Sequence, residues 1–136
     1  MNNTHKRSMV SGYGGLPFGV ISECKVGNIG VLGVPSEVDK GSRIGASLAP
    51  DALRKMTQQL DTKLPANGRD LGNLDVSGDW TSSLMELISH LVNVDVIPIV
   101  IGGTSDVANV ILQTLPNLPV VACMPLARHD LVERTE

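Results

Sequence analysis

The segment Asn28-Ile-Gly-Val-Leu-Gly-Val-Pro35 constrains the fold most strongly. Its apolar run shows no polar face and is closed by proline, so it reads as a β-strand buried on both sides and stopped at Pro35. Later segments alternate with it in kind. Pro50-Asp-Ala-Leu-Arg-Lys-Met-Thr-Gln-Gln-Leu60 puts proline in a first turn with an acid behind it and spaces Leu53, Met56 and Leu60 along one stripe, which predicts a helix. Arg69-Asp70-Leu71 reads as a short strand. Thr81 or Ser82 is placed to cap a second helix striped by Leu84, Leu87, Ile88 and Leu91. Val94 to Ile101 predicts a strand running into Gly102-Gly103, Ser105 or Asp106 a cap for a helix bearing Val107, Val110, Ile111 and Leu115, and Leu118 to Met124 a last strand. Short apolar strands alternating with amphipathic helices are the pattern of an α/β domain with a parallel sheet.

The chain has 136 residues, enough for one domain. Residues 1–27 are polar and glycine-rich and are assigned no regular structure, only a flexible lead-in; 28–136 carries the α/β pattern. Aromatic residues are 2% of the chain, so the core is expected from Val, Ile, Leu, Ala and Met. A net charge of −3 offers no basic field for a phosphate backbone, which argues against nucleic acid as a partner. Apolar runs such as Val96 to Ile101 are far shorter than the ~20 residues of a spanning helix, which argues against a membrane. Met1 to Val10 leads into glycine-rich sequence instead of an apolar signal region, and Cys24 and Cys123 lack CxxC spacing; both features suit reduced thiols in the cytoplasm.

Ligands of parallel α/β sheets collect beyond the carboxyl ends of the strands. The loops there hold Glu37, Asp39 and Arg43; then Asp75 and Asp79; then Thr104, Ser105 and Asp106; then Arg128, His129 and Asp130. The ordinary reading of each residue is a solvated loop group or helix cap. No GxGxxG, GxxxxGK[ST] or GxSxG spacing occurs. His90 sits near a helix end, as a dipole partner would.

Four stretches, in order, carry a resemblance. They are Gly33-Val-Pro35, then Asp39-Lys-Gly41 with Arg43-Ile-Gly-Ala46 and Ala49-Pro-Asp-Ala-Leu-Arg54, then Asp70-Leu-Gly-Asn-Leu-Asp75, and finally Pro98-Ile-Val-Ile-Gly-Gly103. Together they resemble the first half of the ureohydrolases, the arginase, agmatinase and formimidoylglutamase family. The resemblance implies a three-layer α/β fold with a parallel sheet, incomplete here because the family's later Asp-x-Asp strand region lies beyond residue 136. It also implies the family activity, manganese-dependent hydrolysis of guanidino or formimino C–N bonds by a metal-bridging hydroxide. Arg43 and Arg54 fall on family positions that look structural.

The metal motifs depart from the family. Gly102-Gly103 is followed by Thr104-Ser105, so Ser105 stands where the family has a histidine ligand. Leu126-Ala-Arg-His-Asp130 occupies the Asp-Ala-His-x-Asp motif, with Leu126 and Arg128 in place of two ligands. Leucine offers no lone pair, and the guanidinium of Arg128 repels a dication. Asp130 alone keeps its type, either as a relic metal ligand or as an ion-pair partner of Arg128. The expectation is therefore a catalytically inactive chain that does not bind manganese, or a non-catalytic module assembling with itself or with an intact ureohydrolase. In the family, strands of the C-terminal half lie between the strand that enters Gly102-Gly103 and the next one. Either Val94–Ile101 and Leu118–Met124 pair directly here, or another chain fills that space.

Overall fold

The computed structural model describes residues 11–37, 45–60, 63–64 and 67–120. Its elements are β1 (Ile29–Val34), α1 (Ala49–Gln58), β2 (Arg69–Asn73), α2 (Trp80–Asn93), β3 (Ile97–Gly102) and α3 (Asp106–Thr114). The strands form one parallel sheet in the order β2-β1-β3. β1 holds the centre, and Gly30 to Val34 are all buried, as an apolar run with no polar face requires.

One face of the sheet is an apolar core. Leu32 and Val34 of β1 pack with Trp80, Leu84, Ile88 and Leu91 of α2, Val107 of α3, and Val96. The predicted stripe on α2 is thus the buried one. Its cap differs: the helix starts at Trp80, and the Asp79 carboxylate, not Thr81 or Ser82, accepts the Ser82 N–H at 3.3 Å. Burying Trp80 draws the first turn earlier than the aliphatic stripe suggests. The core's makeup also departs from expectation. Trp80 is inside, whereas both described methionines, Met56 and Met85, are exposed.

The other face is organised by charge. Arg54 of α1 points at the sheet and is buried together with Asp70 of β2, at 1% and 0% side-chain exposure. Its Nε and Nη2 donate to the two carboxylate oxygens at 2.8 and 3.0 Å, a bidentate pair. Nη2 also donates to the Gly72 carbonyl, and Nη1 to Asp51 and Asn73, so every N–H of the guanidinium has an acceptor. Asp70 further accepts the backbone N–H groups of Tyr13 and Gly72. This geometry needs glycine twice. Gly72 has φ +82 where β2 shifts register against β1, and a Cβ on Gly33 would run into Asn73, Pro50 and the Arg54 guanidinium. The consequence overturns the expected stripe of α1. With Pro50 and Arg54 turned inward, Met56 and Leu60 are 64% and 54% exposed and Leu53 lies at the surface.

The lead-in carries more structure than its composition suggests. Tyr13–Gly15 and Ile21–Glu23 form short 3-10 turns, and Leu16 is completely buried. Asp70 N–H donates to Pro17 O at 2.9 Å and Gly19 N–H to Asp70 O at 3.1 Å, so Pro17–Gly19 runs parallel along the outer edge of β2. Residues 1–10 lie outside the described residues. β3 begins at Ile97 and not at Val94, because Val94 and Asp95 close α2. Asp95 takes φ +59, a left-handed conformation that short polar side chains tolerate. Of the expected strand Leu118–Met124, the described part, Leu118 to Val120, is not strand; the rest lies outside the described residues.

The two candidate inner faces of α1 are separable by stability. Arg54→Ala leaves Asp70 buried without its partner and is expected to cost about 3–5 kcal/mol. Met56→Ala is expected to change stability by less than about 0.5 kcal/mol. Urea unfolding of both variants checks the assignment; a larger loss at Met56 would contradict it.

Candidate functional site

Three loops meet the carboxyl end of the described sheet: Pro35–Glu37 after β1, Leu74–Asp79 after β2 and Gly103–Ser105 after β3. The β1–β3 register pairs Val34 with Gly102, so residues two positions beyond each strand end arrive level with one another. These are Ser36 and Thr104. Their hydroxyls lie 3.0 Å apart, the Thr104 N–H donates to the Ser36 Oγ at 3.2 Å, and both residues are buried. Gly103 N–H donates to Val34 O, and a Cβ on Gly103 would strike the Ser36 backbone. Glycine is needed at 103 for space, since its φ is not positive. The same holds at Gly102, whose Cβ would press on Val107.

The charged candidates do not converge there. Glu37 is spent on the loop after it: its carboxylate accepts the Gly45 and Ser47 N–H groups and the Ser47 hydroxyl, at 2.9, 3.1 and 2.9 Å. Asp75 accepts the N–H of Ser77 two residues on, an Asx turn. Asp79 caps α2. Asp106 lies in the first turn of α3, where an acid suits the helix dipole. Ser105 occupies the cap position of α3, but its hydroxyl makes no capping bond. His90 is in the last turn of α2, as its sequence position implies. Asp39, Arg43, Leu126, Arg128, His129 and Asp130 lie outside the described residues. Among the described residues, no three His, Cys, Asp or Glu side chains gather in a way that could hold a metal ion.

The manganese ligation implied by the sequence resemblance can be tested against the donors at the end of β3. They do not fit it. The Thr104 hydroxyl is hydrogen-bonded to Ser36, and Ser105 supplies a neutral hydroxyl where an imidazole is needed. The Ser36–Thr104 contact is not among the sequence expectations: both residues follow parallel strands at the same offset, but only the strand pairing makes that offset informative.

Three carboxylates of these loops sit below their ordinary pKa. Glu37 is lowered first by the Ser47 N–H and then by its hydroxyl, Asp75 by the Ser77 N–H, and Asp79 by Ser82 with help from Thr81. A depressed folded-state value means that the folded protein holds the proton less tightly than the unfolded chain. The stabilisation is therefore fully present above the unfolded values near pH 4 and is lost as pH falls through the lower folded values. Thermal melts between pH 3 and 7 are expected to fall on the acid side, and Glu37→Gln to flatten that fall. Cys24 shifts the other way: burial pushes its thiol up. Iodoacetamide at pH 7 is expected to label it more slowly than an unfolded-chain thiol.

No membrane-crossing helix occurs among the described residues, none being long and apolar enough. A search of curated proteins returned no match to the chain. The family model described as "Arginase family" matches residues 27–118, which span all three strands and all three helices. The three-strand parallel sheet with its helices is accordingly part of the arginase fold. The match covers more than half of the sequence, and the chain belongs to the arginase family.

Proposed function

We propose that this chain is a non-catalytic member of the arginase family that acts by association, with itself or with an intact ureohydrolase. The reading is carried by the end of β3. Here the family's ligand histidine is replaced by Ser105, and the preceding Thr104 hydroxyl is engaged by buried Ser36. Binuclear metal hydrolysis needs several anionic or imidazole donors converging on the ions, both to hold them and to set the pKa of the bridging water. The replacements Leu126 and Arg128 support the same conclusion from the second motif, since one has no lone pair and the other is a permanent cation.

The association part of the reading is supported by the sheet. Among the described residues β3 is bonded on one side only, and an open strand edge is a ready template for another chain.

The direct test adds excess manganese to the purified chain and follows urea or ammonia release from arginine, agmatine, guanidinobutyrate and formiminoglutamate. No turnover above the blank is expected, and calorimetry is expected to show no stoichiometric manganese uptake. Stoichiometric uptake together with turnover would overturn the proposal.

A further inference from the structure

The turn that leads into β2 is Asn67-Gly68, a dipeptide that occurs nowhere else in the chain. Every other asparagine is followed by Asn, Thr, Ile, Leu or Val. Asn67 is exposed in the turn, whereas Gly68 is buried. Two hydrogen bonds hold the turn: the Lys25 N–H donates to the Asn67 carbonyl at 3.4 Å, and Arg69 Nη1 donates to the Gly68 carbonyl at 2.8 Å. A Cβ on residue 68 would strike the Ile29 carbonyl, so β1 allows only glycine there. That requirement has a chemical consequence. The backbone nitrogen that follows an asparagine is placed to attack the asparagine's own side-chain carbonyl and close a five-membered ring, and a side chain on the following residue hinders the approach. Gly68 offers no such hindrance.

We propose that Asn67 is a self-modifying site, which water converts in the folded chain, without an enzyme, to aspartate and isoaspartate. The Gly68 nitrogen loses its proton and attacks Asn67 Cγ. A bond forms between that nitrogen and Cγ, the bond from Cγ to the side-chain amide nitrogen breaks, and ammonia leaves with the proton. Water then opens the cyclic imide. Cleavage at Cγ gives aspartate on an ordinary backbone; cleavage at the main-chain carbonyl carbon gives isoaspartate, with the chain now running through Cβ and Cγ. In sum, one amide and one water become one carboxylate and one ammonium, and nothing is oxidised or reduced. The site is independent of the association reading above.

The two products act differently on the fold. Aspartate adds a negative charge at an exposed turn. Isoaspartate adds the same charge and also lengthens the main chain by one methylene directly before Gly68. β2 has no slack to absorb it, because Gly68 lies against the Ile29 carbonyl, Arg69 is paired with Gly30, and Asp70 is paired with Val31 while its carboxylate is held by Arg54. The extra length therefore strains the strand that carries the buried ion pair. Ageing at this turn is a slow, one-way weakening of β2.

The test incubates the full chain at pH 8, where the attacking nitrogen is more often deprotonated, and follows tryptic peptides by mass. The fragment cut after Lys63 and after Arg69 holds Asn67 as its single asparagine. It is expected to gain about 1 Da and to split into two chromatographic forms, with conversion about tenfold or more ahead of any other asparagine. The separated isoaspartyl protein is expected to melt below fresh protein, whereas Asn67→Asp, which carries the charge on an ordinary backbone, is expected to melt with it. Asn67→Gln needs a larger ring and is expected to abolish both the mass gain and the loss of melting temperature. A native chain that keeps its mass at Asn67 while the urea-unfolded chain converts would overturn the proposal, since the fold would then shield the site. Isoaspartyl protein that melts with fresh protein would equally overturn the weakening of β2.

Discussion

The ion pair between Arg54 and Asp70 sets the terms for the rest of one sheet face. A guanidinium and a carboxylate removed from water are tolerated only when each hydrogen-bonding direction is filled. Meeting that demand recruits four separate parts of the chain: Asp51 at the start of α1, the bulged turn at Gly72–Asn73, the Tyr13 N–H of the lead-in, and Gly33 of β1, whose lack of a side chain lets the helix approach. The pair therefore acts less as a source of net stability than as a device of register. It allows one rotation of α1 and one placement of residues 12–19 against β2.

The two faces of the sheet solve burial by opposite chemistry. The face under α2 and α3 is closed by aliphatic packing around a single tryptophan, and its residues are the ones that the periodic stripes on those helices point to. The face under α1 is closed by a polar network, which leaves the helix's apolar residues outside. β1 serves both, and its Gly30 and Gly33 reflect this position. A Cβ on Gly30 would press against Val96, Leu71 and Leu91, while one on Gly33 would displace the polar network.

At the carboxyl end of the strands the described polar groups satisfy one another. Ser36 and Thr104 bind each other across β1 and β3, Gly103 passes directly over Ser36, and Glu37 fastens its own loop. The described polar groups at this end are directed toward backbone and neighbouring hydroxyls.

Much of the architecture was legible in the residues alone. The apolar run closed by Pro35, the α2 stripe from Leu84 to Leu91 and the motif order that carries the family resemblance each depend on short-range periodicity or on residue identity, and both are visible in one dimension. The replacement of the ligand histidine by Ser105 is of the same kind. Tertiary structure alone decided the rotation of α1, because the helix has an apolar stripe and a single arginine, and only the presence of Asp70 on the facing strand makes the arginine side the inner one. It also decided that Pro17–Gly19 packs along β2, since glycine-rich sequence takes its order from what it meets. The Ser36–Thr104 contact likewise arose from strand register, a relation between positions 68 apart that local sequence does not encode. Local pattern determines which elements form; which of two available faces is buried depends on the partner across the sheet, and for a charged side chain that partner must be another charge.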